Sequence, residues 1–408
     1  MKRIRTILII LFSLLLLSNA VVYSEKSIPE EIEQLERKVE ELHSQKIYSE
    51  AIKYQQKALS LLEKKFGPNH PEVATSLSTM ADLYKDQGQY KQAEPLYERA
   101  LGIREKTLGP DHPDVATSLN NLAVLYYHQG QYKQAEPLCE RALDIRKKTL
   151  GPDHPEVATS LSTLAVLYNK QGQYKQAEPL YERALGIREK TLGPDHPNVA
   201  TSLNNLAVLY RNQGQYSRAE SLYERALDII ENIQGPDHPD VATSLNNLAV
   251  LYDKQGQYSR AEPLYRRSLE IREETLGADH PHVAESLSNL AFHYWFKGLY
   301  SQAKSLYRRS LEISEEALGA NHPTVADSLN KLGLLYSSLG LYSQAETLYK
   351  RSLAIREEVL GTDHPEVSAS LNNLADHYTK QGLYSQAETL YKRSQAIIEE
   401  ALARVYYA

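Results

Sequence analysis

Histidine followed by proline recurs at His70, His112, His154, His196, His238, His280, His322 and His364, each 42 residues after the last and without a slip. The ten residues TSLNNLAVLY occur unchanged at Thr117 to Tyr126, Thr201 to Tyr210 and Thr243 to Tyr252. A chain tied to one such period folds by stacking like units, each covering an apolar face that its neighbour would otherwise leave in water. The 408 residues therefore set a number of units, not a number of domains.

Within a unit, Val73, Leu77, Met80, Ala81 and Tyr84 fall at helical spacing. Gln87-Gly88-Gln89 interrupts it, and Ala93, Leu96, Tyr97, Ala100, Leu101 and Ile103 resume it. The pattern predicts a helix, a tight turn and a second helix. Asn69, Asp111 and their equivalents are expected to cap the first helix, with the proline two residues on at its first position. The Leu-Gly-Pro that closes the unit predicts a left-handed glycine cap on the second helix. Most of the 29 tyrosines fall in three periodic series: Tyr84 to Tyr378, Tyr48 to Tyr384, and Tyr97 to Tyr391, which is Cys139 in the second unit. They read as a layered core with rings between helices and hydroxyls at its edge.

Upstream, Pro29 lies 42 residues before Pro71, and Ile47-Tyr48 and Ala51 align with Gln89-Tyr90 and Ala93. A divergent capping pair is expected there, with Glu30, Glu31, Glu33, Glu36, Arg37 and Lys38 turned to water. Before it, Lys2, Arg3 and Arg5 precede an apolar run from Ile7 to Leu17 and then Ser18-Asn19-Ala20. This is the pattern of a secretory signal peptide. An uncleaved anchor is the alternative, but the run is shorter than the roughly 20 residues a membrane-spanning helix needs. The expected organisation is a signal peptide over 1–20, a linker over 21–28, a capping helix pair over 29–66, eight units over 67–402 and a tail over 403–408. The expected address is secreted or periplasmic, or, for the alternative, anchored at the N-terminus.

Charge narrows the partners. Lys and Arg number 46 against 52 Asp and Glu, for a net charge of -6. Loss of the signal segment removes three cations and no acid, so the mature chain would be repelled by nucleic acid and by anionic membrane surfaces alike. Nucleic-acid binding and stable membrane association are not expected. One cysteine permits neither an intrachain disulfide nor a cysteine zinc site.

The residues also carry a resemblance. Leu119, Leu122, Ala123, Tyr126, Ala135 and Ala142 reproduce the spacing of tetratricopeptide repeats. The longer period, the stretches ATSLNNLAVLY and QGQYKQAEPLYERAL, and the tail IREKTLGPDHP are similar to the variant found in kinesin light chains. The resemblance implies an all-α fold, a right-handed α-solenoid superhelix of stacked antiparallel helix pairs. The family's usual proline at the end of the second helix is missing. Pro95, Pro137, Pro179 and Pro263 instead lie near the start of that helix, where few backbone donors are lost. No motor partner is implied, since the sequence has no heptad coiled coil and opens on an export signal.

Eight Asp-His or Asn-His pairs invite a metal reading, but they fall once per unit. Packed helices stand about 10 Å apart, whereas zinc ligands lie about 2 Å from one ion. No phosphate loop, dinucleotide fingerprint or hydrolase elbow occurs, so neither a cofactor nor catalysis is expected. The free face of the first helices is the expected working surface. Asn120, Asn204, Asn246, Asn330 and Asn372, with Asn121, Asn205, Asn247, Asn289 and Asn373, form a ladder of side chains that both donate and accept. The resemblance implies that asparagines of this helix hold an extended peptide; a solvated face, or bonds between units, is the plainer reading. Val124, Tyr127 and His128 lie beside them. Phe292, Trp295 and Phe296 concentrate three rare aromatics on one helix. The function expected is a non-catalytic scaffold for a peptide or partner protein. The alternative is a structural component of the cell envelope acting by self-association of arrays.

Overall fold

The computed structural model describes residues 28–406; the expected signal segment lies outside them. Helices α1 (Ile28–Ser44) and α2 (Tyr48–Phe66) form the first pair, and eight further pairs follow at the sequence period. Units 1 to 8 have first helices Pro71–Asp86, Pro113–His128, Pro155–Lys170, Pro197–Asn212, Pro239–Lys254, Pro281–Phe296, Pro323–Ser338 and Pro365–Lys380. The second helix of unit 1 is Tyr90–Leu108, and that of unit 8, Tyr384–Tyr406, runs on to the end of the described residues. Consecutive helices pack in tandem, and among the described residues there are no strands. The molecule is an all-α solenoid.

The helix starts differ from expectation. Histidine, not the preceding Asx residue, is the cap: His112 sits at φ -75, ψ 144 and its Nδ1 accepts the Asp114 N–H at 3.1 Å. All eight units repeat this. The Asx residue comes one position too early, because the backbone there is still turning: the His112 N–H donates to the Gly109 carbonyl at 3.3 Å. Proline occupies the first helical position as expected. The helix ends differ too. Gly109 has φ 91 and ψ 155, an extended conformation at positive φ open essentially to glycine, not the left-handed helical one. A following proline disfavours helical ψ, and the units that continue with Ala or Thr keep the same backbone.

Three side-chain ladders join the units. Ala93, Ala135, Ala177, Ala219, Ala261, Ala303, Ala345 and Ala387 are buried where helices approach closely. The hydroxyls of Tyr126, Tyr168, Tyr210, Tyr252, Tyr294 and Tyr378 donate to a glutamate of the preceding second helix, such as Tyr168 to Glu136 at 2.9 Å. Buried arginines tie successive first helices: Arg104 donates to Ser118 Oγ at 2.6 Å and to Thr75 Oγ1 at 3.3 Å.

The superhelix turns far enough to meet itself. His322, which caps unit 7, donates from Nε2 to the Asp86 carbonyl of unit 1 at 3.2 Å. Lys91 Nζ reaches the Glu358 carbonyl at 3.3 Å. The turn glycine of unit 2, Gly130, abuts His364 of unit 8. Tyr90, beside a covered turn, is buried, whereas Tyr300, Tyr342 and Tyr384, beside open ones, are exposed.

Candidate functional site

The first helices put their buried stripe against the second helices and leave a narrow strip partly open. Helical geometry separates adjacent residues by about 100°, and that angle divides the two asparagine series. Asn120, Asn246 and Asn330 are buried and Asn204 partly so. Their side chains turn toward the next unit: Asn120 Nδ2 donates to Ser160 Oγ at 3.2 Å, Asn204 Nδ2 to Ser244 Oγ at 3.4 Å, and Asn246 Oδ1 accepts from Asn289 Nδ2 at 3.0 Å. Asn120, Asn204 and Asn246 therefore link units, the plainer of the two readings open from the sequence, and Asn330 is buried in the same series. Asn372 is partly exposed.

The second series stays in the strip. Asn121, Asn205, Asn247 and Asn373 are partly exposed. In unit 7 the slot holds Lys331, whose Nζ donates to Ser288 Oγ at 2.9 Å; burial depresses its basicity. Asn205 lines a cavity of about 450 Å³ that runs across units 2 to 4, with Tyr127, Val166, Asn169, Val208 and Asn212. Amide groups, aliphatic and aromatic side chains and the Lys170 ammonium line it together. This can hold an extended backbone by hydrogen bonds while accepting side chains between them. The cavity was not legible as a unit in the sequence, because its members come from three repeats.

The aromatic cluster forms as the spacing predicts. Phe292 and Phe296 are 36% and 53% exposed. Their rings meet edge to face with centroids 4.7 Å apart, and Trp295 lies 5.6 Å from Phe292 and 5.0 Å from Phe296. Beneath it, buried His293 holds Asp253 Oδ1 at 2.7 Å. Lys297, then Arg266, hold the neighbouring Glu262 carboxyl down at about 2. The rings thus form a partly exposed apolar patch beside the charges of Glu262, Arg266 and Lys297.

The histidines are engaged in capping through Nδ1, and among the described residues no group of three or more His, Cys, Asp or Glu is placed to hold a metal ion. No described helix is long and apolar enough to cross a membrane.

A solenoid of helix pairs with a part-polar inner strip defines a class of repeat protein. The tetratricopeptide repeat model matches in overlapping stretches from residues 42–106 to 339–400. The chain belongs to the tetratricopeptide repeat family. Among solved structures, it is similar to a putative kinesin light chain from Podosopora anserina with nearly identical TPR-like repeats, at 33% identity over 50% of this chain and 97% of that one, with a TM-score of 0.44. It is similar to BtubC (BKLC) from P. vanneervenii at 27% identity over 62% of this chain and 94% of that one, TM-score 0.45. A Rap protein complexed with Competence and Sporulation Factor shares the fold at 16% identity over 91% of this chain and 99% of that one, TM-score 0.59. No curated protein matches.

Proposed function

We propose that the protein is a non-catalytic scaffold, exported through its N-terminal segment, that holds an extended peptide or partner segment along the inner strip of the superhelix. The observation that carries the reading is the cavity across units 2 to 4, where Asn205 and Asn212 stand among Tyr127, Val166 and Val208. The ends of the first helices differ from unit to unit in a nearly constant frame: Tyr127-His128, Asn169-Lys170, Arg211-Asn212, Asp253-Lys254 and Trp295-Phe296. Such variation suits selective recognition. Titration of the partner's binding segment as a synthetic peptide tests the reading. One segment should bind per chain, and Asn205→Ala with Asn247→Ala should weaken it by about 1–3 kcal/mol. Unchanged affinity would sink it. Mass spectrometry of the exported protein should find a start near Val21; an intact Met1 in a membrane fraction would favour the anchor.

A second reading, self-association of arrays in an envelope assembly, draws on one feature. Leu299, Leu339, Leu341 and Leu383 are exposed on the open turns of units 6 to 8, where the equivalent edge of units 1 and 2 is covered by the next superhelical turn. Size-exclusion chromatography across concentrations separates it from a monomeric receptor.

A further inference from the structure

Seven of the eight units place a tyrosine ring under the first helix, at Tyr97, Tyr181, Tyr223, Tyr265, Tyr307, Tyr349 and Tyr391, and all but the last are buried. The second unit has Cys139, also buried, in the same slot. A thiol replaces a phenol ring there, and the backbone frame does not close over the difference. What remains is a cavity of about 240 Å³ whose floor is Ala123, Ala135, Cys139 and Leu167 and whose walls include Val124 and Val166. The floor is buried while Val124, Tyr127 and Val166 are partly exposed, so the cavity opens on the inner strip. Tyr127 and Val166 also line the larger cavity described above, which makes the two contiguous.

In units 1 and 8 an aspartate of the first helix holds the ring's hydroxyl. The hydroxyl of Tyr97 donates to Asp82 Oδ1 at 2.6 Å, and that of Tyr391 to Asp376. The position equivalent to those aspartates in unit 2 is Val124, and it is apolar in units 3 to 7 as well, from Val166 to Leu334. Unit 2 therefore lacks the ring and offers no carboxylate at that position, and the buried floor of the cavity is apolar, with Tyr127, His128 and Thr163 completing its lining. An apolar cavity of about 150 Å³ stays dry and takes a benzene ring, so this one has room. Burial pushes the thiol up to about 12, which leaves Cys139 a small apolar wall and not a nucleophile.

We propose that this cavity is an anchor pocket for one aromatic side chain, of the phenylalanine kind, carried by the bound segment. The ring would restore the layer that the other units build from their own tyrosine. The anchoring role rests on the groove reading; the capacity for a ring does not, and the experiment separates the two. Toluene, the phenylalanine side-chain analogue, is the probe, with thermal unfolding of the full chain followed by circular dichroism. Toluene should raise the melting temperature of the parent in a saturable way. Cys139→Tyr should raise it without toluene, by filling the void, and abolish the toluene response. Should that variant not fold, Thr163→Trp closes the mouth from the surface and should abolish the response alone. No saturable response in the parent, or an equal one in both filled variants, overturns the pocket. With the partner's segment, Cys139→Tyr should weaken binding roughly tenfold or more, while Asn205→Ala reports on the groove independently. A toluene response with full partner affinity in Cys139→Tyr would overturn the anchor and leave the groove standing.

Discussion

A histidine Nδ1 caps a helix only while it carries no proton, since its lone pair is the acceptor. Eight first helices depend on this, and the helix N-terminus itself disfavours a cation. At three caps, His280, His322 and His364, the surroundings add to the effect, with burial the largest cause. Burial, then His282, Lys46 and Arg272, holds His280 down at about 4; burial, then Lys170 and Arg356, does the same for His364. The ordinary value is about 6.5, so the folded state favours the neutral ring. That stability is present above about pH 6.5 and is lost as pH falls through about 4. Glu262, held at about 2, titrates below this window. The melting temperature should therefore decline across it, and a flat profile by circular dichroism would contradict the caps. At pH 7, His238→Ala should cost about 1 kcal/mol and His238→Asn much less, read by denaturant unfolding. The sequence shows the helix start to within one residue here but not which side chain caps it, because Asx and His are adjacent and both have acceptors.

At the scale of the helix, the periodicity was sufficient to place nearly every boundary: Val73, Leu77 and Ala81 mark one face, and Gly88 and Gly109 the two ends. Ala219 is fully buried, and Ala219→Leu should cost about 1–3 kcal/mol through overpacking; an unchanged melting temperature would contradict the assigned faces. Less legible was the border between the inner strip and the joint between units. Asn120 and Asn121 look alike in the sequence, yet one lies against Ser160 and the other faces the strip, a difference of side-chain direction that only neighbouring helices decide. Buried Arg104 and Arg146 escaped notice for a related reason: their partners, Ser118 and Ser160, belong to the next unit. The aromatic helix of unit 6 was legible because its composition alone sets it apart. Trp295→Ala should weaken partner binding by about 2 kcal/mol with the helical signal intact. Equal affinity by calorimetry would remove this unit from the contact surface.

For the whole molecule, the contact between superhelical turns has no local signal in the sequence, because it sums a small rotation at every joint. It is testable through two glycines with the same backbone. Gly88 and Gly214 both have φ 75, but a Cβ on Gly88 would lie 2.6 Å from Pro323 Cδ, whereas one on Gly214 would meet nothing within 4 Å. Alanine at either should incur the local cost of positive φ, about 1 kcal/mol or more. Only Gly88→Ala should open the superhelix, seen as a larger radius of gyration in small-angle X-ray scattering; equal radii would contradict the contact. The same closed turn sets the curvature of the inner strip, and whether a partner lies along that strip is the central question. Photo-crosslinking asks it directly, with a photoreactive residue at Asn205 on the strip or at Glu224, exposed on a second helix. A crosslink to the partner from position 205 and none from 224 is the predicted result; a crosslink from 224 with none from 205 would contradict the account.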